Sequence, residues 1–99
     1  MEPMVLREVD VTGPRQVLAE YPIWADDITT SVNETVGNQA IYNSAELVLR
    51  IKRQPALIPI LRSTNQIEVV FRDIEYKVTS RQESRFHANL SCELRRSLN

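Results

Sequence analysis

Along most of the chain, apolar residues recur at every second position, the spacing of a strand whose side chains alternate between two faces. Over Ala45–Arg53, Leu47, Leu49 and Ile51 share one face, while Arg50 and Lys52 share the other with Val48 among them. Ile67, Val69 and Phe71 alternate with Glu68 and Val70, and Ile74, Tyr76 and Val78 alternate with Glu75, Lys77 and Thr79. The last such run is the cleanest. Phe86, Ala88, Leu90, Cys92 and Leu94 stand against His87, Asn89, Ser91, Glu93 and Arg95, which predicts a strand with one face in the core and one in water.

The first third carries a weaker pattern. Val5, Val9 and Val11 suggest a strand before a turn at Thr12-Gly13-Pro14. Trp24–Val32 reads as a threonine-rich strand with Ile28 and Val32 apolar, and Pro22 suits its entry. Arg15–Tyr21 fits a short helix and an extended segment equally well. Two segments break the alternation. Asn33-Glu34-Thr35-Val36-Gly37-Asn38-Gln39-Ala40-Ile41-Tyr42-Asn43-Ser44 is polar and reads as a long loop, or a loop with one helical turn. Gln54–Asn65, with Pro55 and Pro59 bracketing Ala56, Leu57 and Ile58, reads as extended but interrupted. Loops of about a dozen residues are uncommon in small domains and are usually functional or disordered. About six short strands with little helix predict an all-β fold, a small antiparallel barrel or sandwich spanning residues 1–99 as one domain.

Composition narrows the function classes. Hydrophobic residues at 42% and charged ones at 25% match a folded domain, not a disordered tail. No apolar run approaches the ~20 residues of a membrane span. The opening Met1-Glu2-Pro3-Met4-Val5-Leu6-Arg7-Glu8 has no signal-peptide pattern, which leads us to expect a cytoplasmic protein without membrane contact. Gly13 and Gly37, the two glycines, are too few for a phosphate-cradling loop, so no nucleotide cofactor is expected. Cys92 alone builds neither a disulfide framework nor a zinc site, and its register predicts a small buried hydrophobe.

Charge is distributed unevenly. Residues 1–49 hold eight acids against Arg7 and Arg15 (−6), and residues 50–99 hold ten bases against five acids (+5). Such halves suit either an ordinary solvated surface or a protein with a basic and an acidic face that stacks head to tail.

Candidate chemistry is sparse. His87, the single histidine, lies four residues from Ser91, and ~13 Å of strand separates such positions. A nucleophile and its base need ~3 Å. His87 and Cys92 fall on opposite faces, as do the neighbours Asp26 and Asp27. An enzyme is not expected. A small barrel that binds single-stranded nucleic acid would need exposed aromatics framed by cations. Phe71, Tyr76 and Phe86 fall in core registers, and Tyr42 has no basic neighbour. Arg50, Lys52, Arg53 and Arg62 nonetheless form a candidate patch for phosphate.

The order of features resembles the bacteriophage head–tail joining family, the head–tail adaptor, head-completion or stopper proteins. The resemblance runs from Trp24 to Arg95: Trp24-Ala25 opening a strand, a polar loop ending in Ser44-Ala45, the arginine-bearing Leu47-Val48-Leu49-Arg50-Ile51, then Gln66–Phe71, Ile74-Glu75-Tyr76-Lys77-Val78 and a final Leu90-Ser91-Cys92-Glu93-Leu94. It implies a non-enzymatic barrel whose copies form a hexameric or dodecameric ring in the virion neck. The portal or an adaptor lies on the head side, the tail terminator or tail tube on the other, and packaged double-stranded DNA in the channel. Asn33–Ser44 corresponds to the family's channel loop; with Glu34 as its one charge, it would not grip phosphates. Under this reading Arg50, Lys52, Arg53 and Arg62 of one protomer would meet Glu20, Asp26, Asp27 and Glu46 of the next. Gln54–Asn65, through Leu57, Ile58, Ile60 and Leu61, would dock a partner or else form core. A tail-terminator ring is the neighbouring alternative, and a single-strand-binding barrel the distant one.

Overall fold

Side chains two apart on each strand supply the core of this molecule, and six such strands close on themselves. The computed structural model describes residues 1–29 and 47–98. Its strands are β1 (Glu2–Asp10), β2 (Gln16–Asp27), β3 (Leu47–Lys52), β4 (Gln66–Phe71), β5 (Ile74–Glu83) and β6 (His87–Ser97). All pairings are antiparallel, in the order β1-β2-β3-β6-β5-β4, with β4 returning to β1 to close a barrel. The seam between β2 and β3 is short, Ala25–Asp27 against Leu49–Ile51, whereas β1 pairs with β2 over nearly its whole length. The expected all-β antiparallel fold is the fold found. The channel-loop segment Asn33–Ser44 lies outside the described residues.

The interior is filled by Leu6 from β1, Leu49 and Ile51 from β3, Ile67, Val69 and Phe71 from β4, and Leu90 and Cys92 from β6, all essentially without solvent contact. Between β4 and β5, Arg72 and Asp73 make a two-residue turn with φ of 53° and 61°. Positive φ at both central positions is the turn geometry that matches the twist of a hairpin.

One open reading is resolved and three expectations are corrected. Arg15–Tyr21 takes the extended of its two readings: β2 starts at Gln16 and pairs along β1 from Asp10 back to Glu2. Gln54–Asn65 is not extended. Pro55–Leu57 forms a 3-10 turn and runs into α1 (Ile58–Leu61). Each proline sits in the first turn, where no amide is required and the fixed φ already suits a helix. Because β3 and β4 are not neighbours, this segment must cross an end of the barrel, and it closes that end with Leu57, Ile60 and Leu61. Leu57 is therefore core and unavailable for docking, while Ile58 is half-buried.

The last strand is shorter in the core than its alternation implies. Ala88, Leu90 and Cys92 are buried, but Phe86 and Leu94 are exposed. Phe86 precedes β6, and beyond Cys92, which pairs with Leu47 at the start of β3, β6 keeps a ladder only with β5. Finally, Glu68 and Glu75, which alternation assigns to the wet face, have no solvent exposure. They lie under arginines.

Candidate functional site

On β3 the inward turn of Leu49 and Ile51 forces Arg50 and Lys52 outward. Register then supplies their neighbours. Arg50 lies opposite Asp26 of β2 and Asn89 of β6, and Lys52 lies opposite His87. The β5–β6 turn adds Arg85 and Phe86. It is fixed by the Ser84 amide and hydroxyl, which donate to the His87 carbonyl at 2.8 and 3.1 Å, and by the Arg53 amide, which donates to the Phe86 carbonyl at 2.8 Å. Together these groups enclose a cavity of about 310 Å³ lined by Met1, Asp26, Arg50, Lys52, Arg53, Arg85, Phe86 and His87.

Four permanent cations in that lining face one carboxylate, and Asp26 is itself held at 3.2 Å by the Met1 ammonium. Arg50 Nε donates to Asn89 Oδ1 at 3.4 Å. Arg53 Nε lies 3.4 Å from Glu83 Oε1, near enough for charge attraction but without a hydrogen bond. The Arg85 guanidinium lies 5.2 Å from the centroid of the Phe86 ring, whose residue is 65% exposed.

Three of the four predicted bases, Arg50, Lys52 and Arg53, thus converge. Arg62 stands one carboxylate away, its Nε 3.2 Å from Glu83 Oε2. The acidic partners do not form a second face. Asp26 lines the basic cavity, Glu20 accepts from Arg7 at 3.0 Å, and Asp27 pairs with Arg72 at 3.1 Å while accepting from the amide and hydroxyl of Thr29. Glu46 lies outside the described residues. The reason is topological. Antiparallel closure sets β1 and β2 of the acidic half directly against β4 and β3 of the basic half, so charges segregated along the chain are interleaved in space.

Alternation alone conceals two other features. Outward-facing Pro3, Val5, Pro22, Trp24 and Val70 line an apolar groove of about 490 Å³ that Glu2 and Arg72 border, with Trp24 59% exposed. Farther along the same sheet lies the buried-acid cluster. Glu68 accepts from Arg15 Nη2 at 2.5 Å and from Gln66 Nε2 at 2.6 Å, and Arg95 Nε lies 3.6 Å away. Glu75 is bonded by Arg95 and approached by Arg7, Arg15 and Arg96 at 3.4–3.5 Å. Burial pushes the Glu68 carboxyl upward, yet the Arg15 and Gln66 bonds and the charges of Arg15 and Arg95 outweigh it and hold the group below its ordinary range. Its carboxylate in turn raises Arg15. The cluster is a self-satisfied ion network.

The residues that sequence reasoning missed at the cavity are Arg85, Phe86 and His87. The available signal was the polar triplet Glu83-Ser84-Arg85, which marks a turn and so puts Phe86 at a strand end. Among the described residues, no three His, Cys, Asp or Glu side chains converge as a metal site. Compared with models of protein families, with curated proteins and with solved structures, the chain has no match in any of the three.

Proposed function

We propose that this protein is a structural subunit of the neck of a tailed bacteriophage, assembling as a ring that joins the DNA-filled head to the tail around the DNA channel. The observation that carries the reading is where the longest connection leaves the barrel. Strands β2 and β3 are hydrogen-bonded neighbours, yet residues 28–46 intervene between them, and they leave from the end of β3 opposite the helical crossover. A closed barrel with a helical crossover at one end and its longest connection starting from the other suits a subunit of a ring. The ordered resemblance from Trp24 to Arg95 supports the same reading.

Ring contacts have outward side chains to use: the cationic β3 face and the Trp24 groove are two exposed faces with distinctive chemistry. In the virion, the partners would be portal or adaptor on one side and tail terminator or tail tube on the other.

The test is electron microscopy of lysates from a phage lacking this gene. Filled or leaking heads beside complete, unattached tails support the head-side station. Full heads beside tails of abnormal length move the protein to the tail terminator, and intact particles overturn both. A phage carrying Arg50→Glu with Arg53→Glu tests the cationic face: normal particles would remove it from the ring contact.

A further inference from the structure

The cavity beside β3 pairs two features that one kind of ligand satisfies together. Its cations demand an anion, and Phe86 offers an aromatic face at the lip. Among the described residues, neither Lys52 nor Arg85 has a carboxylate within ion-pair distance, and Arg85 lies over one face of the Phe86 ring. Arg50 uses one of its donors on Asn89, and a guanidinium has five. We propose that this cavity binds an unpaired nucleotide of a single-stranded nucleic acid, with phosphates on Arg50, Lys52 and Arg85 and the base stacked on Phe86.

Three considerations favour that occupant. A cationic groove with an aromatic platform and an adjacent arginine is the combination by which single strands are held without regard to sequence. A cavity of about 310 Å³ lies at the lower end of small-ligand sites, the scale of one nucleotide. A duplex keeps its bases stacked inside and has none to lay on Phe86, whereas an acidic peptide or a simple anion would leave the ring unused. The turn is also already in place. The Arg53–Phe86 and Ser84–His87 backbone bonds hold the ring beside the cations before anything binds, so little ordering is required.

The proposal concerns the isolated chain and does not depend on ring assembly. Its test is fluorescence anisotropy with a labelled oligothymidylate of about fifteen nucleotides, at salt concentrations between about 50 and about 200 mM. Binding at low salt should weaken with a log–log slope of about −2, the value for three neutralised phosphates on a single strand. Phe86→Ala should weaken binding by about tenfold or more. Phe86→Leu, which keeps apolar bulk but no ring, should weaken it similarly. Lys52→Glu should lower affinity and flatten the slope, and Lys77→Ala, on an exposed position of β5, should change nothing. Because Phe86 and Lys52 are exposed, all variants should keep the wild-type circular dichroism spectrum, which makes a loss of binding interpretable. Absence of binding at low salt overturns the proposal. So does full affinity in Phe86→Ala, equal affinity for a duplex of the same length, or equal competition by polyglutamate.

Discussion

Arg81 of β5 donates from Nη1 to the carbonyl oxygen of Leu61 at 2.8 Å, the last residue of α1. The same nitrogen donates to the Ser63 carbonyl at 2.8 Å, and Nη2 reaches that of Asn65 at 3.4 Å. Glu8 holds the same loop from the other side, accepting from the Ser63 hydroxyl and from Asn65 Nδ2. These bonds satisfy carbonyls that a single helical turn cannot satisfy itself.

Arg81→Ala should therefore destabilise the domain by about 2–4 kcal/mol, since bonds to a charged donor contribute roughly 1.5–3 kcal/mol each and do not add fully. Urea unfolding followed by circular dichroism measures it. A loss below half a kcal/mol would mean that apolar packing alone positions the crossover.

The crossover's apolar residues should divide by burial. Ile60→Ala should cost about 2–5 kcal/mol, because Ile60 is 3% exposed and its removal leaves a cavity in the barrel end. Ile58→Ala, at a half-buried position, should cost clearly less. Equal losses would contradict the orientation of α1. The comparison also separates core from docking: Ile60 variants should fail through stability, whatever the partner.

Removing the Glu68 charge leaves Arg15 and Arg95 with Glu75 as the one carboxylate they still share. Glu68→Gln should cost about 1–3 kcal/mol, the range for losing hydrogen bonds to a charged group, because Glu75 still faces both guanidinium groups. The pH dependence follows from the depressed carboxyl. A folded pKa below the unfolded value of about 4.3 gives stability that is complete above that value. It drains away as pH falls through the carboxylate range toward the folded value. The wild type should lose stability along that limb, and Glu68→Gln should show a shallower decline. Urea midpoints between neutral and acid pH decide it.

Burial alone pushes the Cys92 thiol up to about 12, and the residue has no solvent exposure. At pH 8 the folded protein should fail to react with a water-soluble disulfide reagent, and one equivalent should react once urea unfolds it. Fast reaction in the native state would show that the β3–β6 seam opens locally.

The strands of the basic half were legible because one face of each is buried and period two is the only spacing that keeps a face together. Leu49 and Ile51, or Ile67, Val69 and Phe71, define their strands without any knowledge of partners. The proline-bearing crossover was not legible in the same way. Pro55 and Pro59 break a strand and also open a helical turn, and only the separation of β3 from β4 across the barrel selects the turn.

Phe86 shows the limit most clearly. Alternation assigns it to the core with Ala88 and Leu90, but period says nothing about where the neighbouring strand stops. Lys52, opposite His87, is the last residue of β3, so Phe86 falls beyond the ladder and into the cationic cavity. Charge followed the same logic. The sequence by itself determined the all-β class, the burial of Cys92 and the outward direction of Arg50 and Lys52, because each depends on alternation within one strand. Tertiary structure decided which charges meet, that Glu68 and Glu75 are roofed by arginines, and that an aromatic ring stands beside the cations of the β3 cavity. Those outcomes depend on register between strands distant in the chain, which no single segment encodes.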